Sequence, residues 1–219
     1  MDNLPEIYEQ VRQDFDARTA ARDRALAQCR ELTRHAAHAI RAIHRDEVDL
    51  ANEHLAGARE LVNSLQAGLA AYPDLFHAGY TQDAIKEFVE ASNTCALIQN
   101  KALLTPAELG VESATYMNGL AEVVGELRRR CLDILRHGYS EEAERLLSCM
   151  DEIYAVLVTL DYPDAITNGL RRQTDLIRGI IERTRADLTT SLGEQKIHLA
   201  LRDFQEKLAN SAHADDSGL

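Results

Sequence analysis

The 219-residue sequence predicts an all-α protein, a single-domain bundle of about six or seven long helices. Three observations predict it. Four Pro, eleven Gly, no Trp and an aromatic share of 5% leave few chain breakers and few strand formers. Apolar residues recur at three-four spacing over long stretches. An apolar share of 45% is enough for a core, so the chain is not a disordered one, and no uninterrupted apolar run approaches the length of a membrane span.

Residues 1–45 read as one helix, with Ile7, Val11, Phe15, Leu26, Cys29, Ala36, Ile40 and Ile43 as its apolar stripe. Asp46 is the expected cap of a second helix over 47–71, striped by Val48, Leu55, Ala58, Leu61, Leu65 and Leu69. Tyr72-Pro73-Asp74 ends it, because proline disfavours helical geometry in the residue before it. A third helix covers 83–103. Thr105-Pro106-Ala107-Glu108 has the pattern of a capping box with proline in the first turn, and Gly110 limits it to one short turn of helix. A fourth long helix covers 113–137 and stops at Gly138. Ser140 caps a fifth, which runs to Leu160 before Tyr162-Pro163. A sixth runs from Asp164 to Leu192. Gly193 then divides this 1–192 helical domain from a C-terminal segment, 193–219, read as a weaker helix and a disordered end from Asn210.

The start of the chain has neither a basic nor an apolar leader pattern. Cys29, Cys95, Cys131 and Cys149 form no paired motif, so reduced core thiols in a cytoplasmic protein are expected. The net charge of −12 argues against indiscriminate polyanion binding. The charge is segregated, however. Residues 47–110 and 139–165 are acid-rich, whereas 166–192 has a basic excess, so a local anion-binding face is compatible with the average.

Two carboxylate pairs stand out. Glu87 and Glu90 are three apart on the third helix, and Glu122 and Glu126 are four apart on the fourth, so each pair shares a helix face. Glu122 has Leu120, Ala121, Val123 and Val124 as neighbours. Like charges so placed repel unless a cation compensates, and four carboxylates suit Mg²⁺ or Mn²⁺. The alternative is that each pair is a solvated helix edge. Gly119 and Gly125, inside a helix, point instead to close packing or ligand access. Arg128, Arg129 and Arg130 follow Glu126, and Arg171 and Arg172 lie near the start of the sixth helix. They are candidate phosphate contacts, or else they offset nearby acids and the helix dipole. Glu31, His35 and His38 share a face of the first helix, but Glu-x-x-His, the pattern of di-iron bundles, does not occur, and a structural role is favoured for these histidines. P-loop, serine-hydrolase elbow and zincin motifs are absent.

The chain resembles the translin family, and within it the translin-associated factor X (Trax) branch. The resemblance rests on Phe15-Asp16-Ala17-Arg18, Arg30-Glu31-Leu32-Thr33 and Ile43-His44-Arg45 in the first helix. It continues with Glu87-Phe88-Val89-Glu90-Ala91, with the run Tyr116-Met117-Asn118-Gly119-Leu120-Ala121-Glu122-Val123-Val124-Gly125-Glu126-Leu127, and with Leu170-Arg171-Arg172. It covers most of residues 15–192 and is weakest over 47–80. It implies a translin-like helical fold and a metal-dependent endoribonuclease for single-stranded RNA, with Glu87, Glu90, Glu122 and Glu126 as metal-binding and catalytic residues. Position 122 departs from the branch, which has Asp there. The basic stretch of translin itself is missing, with only His77 in its place and Lys86 further on. The resemblance further implies a hollow homo-oligomer, an octamer in the family, with nucleic acid on its inner wall and no membrane. Two other functions stand beside the nuclease: a non-catalytic shell for single-stranded DNA or RNA, and a helical scaffold without a nucleic-acid partner.

Overall fold

The computed structural model describes residues 3–216, with side chains for 3–208. Among them there are nine helices and no strand: α1 (Leu4–His44), α2 (Val48–Gly68), α3 (Pro73–Phe76), α4 (Gly79–Ile98), α5 (Pro106–Leu109), α6 (Ser113–Leu135), α7 (Glu141–Leu157), α8 (Asp164–Thr167) and α9 (Leu170–Asp216). Six are long and three are single turns. Among the described residues no helix is long and apolar enough to cross a membrane.

The local signals act where their chemistry requires. Thr105 and Glu108 form a reciprocal capping box at the start of α5, and Gly110 closes that turn with a left-handed φ of 65°. The Ser140 hydroxyl accepts from the Glu142 amide and opens α7. Three expectations are corrected. Asp46 does not cap α2 but takes a left-handed φ of 60° in the α1–α2 turn, where Arg130 holds its carboxylate at 2.7 Å. The expected sixth helix is interrupted by Asn168 and Gly169, both at positive φ, so that a single turn, α8, precedes α9. At the other end α9 runs through Gly193 to Asp216. One glycine costs a long helix about 1 kcal/mol, which the helix formers on either side absorb. Residues 217–219 of the expected disordered end lie outside the described residues.

The helices pack in a sequence α2, α1, α4, α6, with α7 and α9 on the far side of α6. One large cluster built on Leu32, Leu65, Phe88, Leu127, Leu146 and Leu188 runs through the bundle. Beside it Ala36, Ala39, Ala51, Ala91 and Cys95 form a patch of small residues where α1, α2 and α4 meet. The core of α1 begins only at Ala21. Ile7, Val11 and Phe15, expected in the core, are 46%, 45% and 62% exposed because the first turns of α1 extend beyond the helices it packs on.

Gly119 fixes the α4–α6 spacing. A β-carbon there would stand 2.7 Å from Val89 Cβ and 2.9 Å from the Lys86 carbonyl oxygen. Backbone cannot yield as a side-chain tip can, so Gly119→Ala is expected to destabilise the protein by about 1–3 kcal/mol despite alanine's better helix propensity. Thermal unfolding monitored by circular dichroism checks this, and an unchanged midpoint would contradict the close contact.

Candidate functional site

Close approach at Gly119 has a chemical result, because it carries the acids of α4 up to those of α6. One carboxylate oxygen from each of Glu87, Glu90 and Glu122 can be chosen so that all three lie within 4.8 Å of one another, and all three side chains are half-buried. Glu126, one turn beyond Glu122, is not part of this group of three. Its Oε2 instead accepts a 2.6 Å hydrogen bond from His44 Nε2, at the C-terminal end of α1, and Arg129 lies 3.5 Å away. The His44 side chain is only 3% exposed, and its Nδ1 has no partner among the described residues. Glu122 Oε1 accepts from Lys86 Nζ at 2.7 Å and from Gln173 Nε2 at 3.2 Å. Three of the four predicted acids therefore converge, and the fourth stands beside them on a histidine. Of the two glycines noted in α6, Gly119 is the close contact, while Gly125 is exposed with nothing within 4 Å of its missing β-carbon.

The five arginines divide. Arg128 is committed to α9, where it pairs with Asp187 at 3.0 Å and donates to the Thr184 hydroxyl. Arg130 holds Asp46 and the His44 carbonyl. Both tie helices together. Arg129 is exposed next to Glu126. Arg171 and Arg172 diverge: Arg171 faces a cleft with Asp161, Asp164 and Asp175, whereas Arg172 lines a cavity of about 420 Å³ with Lys86, Asn118 and Gln173, beside the acids.

No protein-family model matches the chain. The sequence is 33% identical over 188 residues to the uncharacterized protein MJ0175 of Methanocaldococcus jannaschii, covering 85% of this chain and 83% of that one. The solved structures of AfC3PO in complex with duplex RNA and of AfC3PO alone each superpose with a TM-score of 0.79 at 34% identity, covering 85% of this chain and 97% of theirs. This chain belongs to the C3PO/translin family. Apo-NeC3PO, with a TM-score of 0.73 at 20% identity over 87% of this chain and 96% of its own, shares the fold.

In this C3PO/translin chain the electrostatics of the acids are uneven. Burial first, and then the neighbouring Glu87, Glu122 and Glu126, push Glu90 up to about 8. Glu87 is raised for the same reasons, burial leading and Glu122 next. Glu126 is lowered, because the His44 hydrogen bond outweighs its burial. Lys86 is shielded from water, which alone would lower it, yet its bond to Glu122 and the surrounding acids raise it. The two carboxyls are thus driven in opposite directions, Glu90 towards the protonated and Glu126 towards the ionised form, an arrangement compatible with acid–base chemistry.

An oxygen-only donor set suits a hard divalent cation such as Mg²⁺ or Mn²⁺. Burial and then the neighbouring acids keep Glu90 protonated, a penalty that such a cation would relieve, so the residues present fit the ion. Sequence reasoning missed two side chains that shape the site. His44 lies 82 residues from Glu126, and no spacing rule joins them. Gln173 stands next to Arg172 but reaches Glu122 only across the α6–α9 contact.

Proposed function

We propose that the protein is a Trax-type, Mg²⁺- or Mn²⁺-dependent endoribonuclease that acts on single-stranded RNA inside a cytoplasmic homo-oligomer. The convergence of Glu87, Glu90 and Glu122 within 4.8 Å carries this reading. The related AfC3PO has been solved in complex with duplex RNA, which supports RNA as the ligand class here. The uncovered stripe of Ile7, Val11 and Phe15, with a second one of Ile197, Leu201 and Phe204 on α9, supports assembly of several copies.

In this mechanism Glu87, Glu90 and Glu122 would hold the ion, whose chemistry is polarisation of the scissile phosphate and acidification of water. Glu126, kept ionised by His44, accepts the proton of the attacking water. Arg172 and Arg129 bind backbone phosphates on either side of the acids, and Lys86 offsets the negative charge of Glu122. An internal site with few free cations is compatible with the acidic average charge of the chain.

The Lys86–Glu122 pair favours a second reading. A lysine that already neutralises one of the three acids could make the cluster purely structural, leaving a non-catalytic shell for single-stranded DNA or RNA. A fluorogenic single-stranded RNA assay separates the two. With Mn²⁺ the nuclease reading expects cleavage that a chelator abolishes and that falls about 10²–10³-fold in Glu126→Ala. Salt-sensitive gel-shift binding without turnover in any metal would establish the shell instead. Equal cleavage by wild type and variant would trace the activity to a contaminant.

A further inference from the structure

Away from the acids, the crossing of α1 and α2 holds three histidines. His35 and His38 lie one turn apart on α1, and His54 meets them from α2. The Nδ1 atoms of His35 and His54 are 3.2 Å apart. Their rings meet edge-on with centroids 5.3 Å apart, and the His38 ring stacks on His54 at 5.0 Å. The site is built around a missing side chain. A β-carbon at Gly57 would stand 2.8 Å from His35 Cε1 and 3.0 Å from its Nδ1, so the His35 imidazole lies in a notch that only glycine leaves on α2. His35 and His54 are half-buried, while His38 is exposed.

Two imidazoles that meet Nδ1 to Nδ1 constrain each other's tautomers. As a hydrogen bond the contact needs one ring to carry its proton on Nδ1, against the usual preference for Nε2, and the other to present a bare nitrogen. Protonation of both would place two cations in contact. A metal ion removes the conflict, since each ring then gives an Nδ1 lone pair and keeps its proton on Nε2. Two nitrogens each ~2.0–2.1 Å from a tetrahedral Zn²⁺ are about 3.3 Å apart, close to the separation in the structure. Of the surrounding cations, Arg34 is paired with Glu31 at 2.9 Å. The set is nitrogen-rich, unlike the carboxylate cluster, and so selects a different class of ion.

We propose that the α1–α2 crossing is a second, histidine-based metal site, which binds a borderline transition ion of the Zn²⁺ class through Nδ1 of His35 and of His54, with His38 turning in as third ligand. Bound there, the ion clips α2 to the middle of α1.

Cobalt titration of the metal-free full-length protein tests this. Co²⁺ among nitrogen ligands in tetrahedral geometry absorbs strongly in the visible, whereas six-coordinate Co²⁺ on carboxylates absorbs far more weakly, so the spectrum separates the two sites. Wild type and Glu90→Gln are expected to develop the strong band at one equivalent per chain and to lose it when Zn²⁺ is added. His54→Gln should show no band, and His38→Ala should need more Co²⁺ to reach it. A rise in melting temperature with Zn²⁺ in wild type, missing in a His54→Gln variant shown to be folded by circular dichroism, is the second readout. A wild type without the band, or a His54→Gln variant with the band undiminished, overturns the site.

Discussion

Glu90→Gln is expected to abolish metal-dependent RNA cleavage, by about 10²–10³-fold or more, and at the same time to stabilise the metal-free protein at pH 8. Both effects come from one carboxyl. In the metal-free fold Glu90 holds its proton up to about 8, against an ordinary value of 4.5. Between those values the folded chain binds a proton that the unfolded chain has released. Stability therefore falls as pH rises through this window. Glutamine has the shape of the protonated acid and never ionises, so the variant should lack that decline. The gain at pH 8 is on the order of 2 kcal/mol, less than full titration would supply, because the half-buried site still sees solvent. Melting curves of both proteins from pH 5 to pH 8.5 in chelator measure it. Parallel profiles would show that Glu90 titrates normally, and the crowded site would then lose its main electrostatic argument. Added Mn²⁺ should restore the wild type at high pH and leave Glu90→Gln unchanged.

His44→Ala should cost about 3 kcal/mol of stability, since it empties a nearly buried position and strips a half-buried carboxylate of its short hydrogen bond. Its effect on cleavage has a distinct signature. Without the His44 donor, burial is left to act on Glu126 and raises its carboxyl. The acidic limb of the pH–rate profile should then move to higher pH. His44→Gln, whose amide nitrogen can replace Nε2, should recover most of the stability and return the limb towards its original place. A merely structural histidine would lower the melting temperature and leave the limb where it was.

The fold was legible in the sequence at several helix ends that depend on their own residues. The Thr105–Glu108 capping box, the Ser140 cap and the glycine at 110 each act within four residues of chain, and each stands as expected. The errors have local as well as tertiary causes. Gly193 is an ordinary stop signal, overridden by the good helix formers around it. Asn168-Gly169 was a turn signal in plain view, hidden inside an otherwise helical pattern. Ile7, Val11 and Phe15 have core-like spacing but no helix above them, and spacing alone does not say what covers a stripe.

The candidate site was legible to a similar depth. The spacing of Glu87 with Glu90 and of Glu122 with Glu126 placed each pair on a face, and the small residue at 119 hinted that the faces meet. Which acid would be drawn off was not legible, because His44 comes from α1 and Lys86 chooses Glu122 only once α4 and α6 are packed. The arginines show the same limit. Arg128 and Arg130 look free in the sequence, yet tertiary partners 56 to 86 residues away occupy them. The histidines at 35 and 38 needed His54, from another helix, before they formed anything more than a pair on one face.

The meeting of the α4 and α6 acids is, above all, expected to be a place for a dication. A crystal of the protein soaked in Mn²⁺ and measured for anomalous scattering tests that most directly. The expected result is one strong peak per chain, at coordination distance from Glu87, Glu90 and Glu122, with Lys86 displaced from Glu122. Full occupancy of the lysine on Glu122 and no peak among the three carboxylates, at Mn²⁺ concentrations that support cleavage in solution, would contradict it.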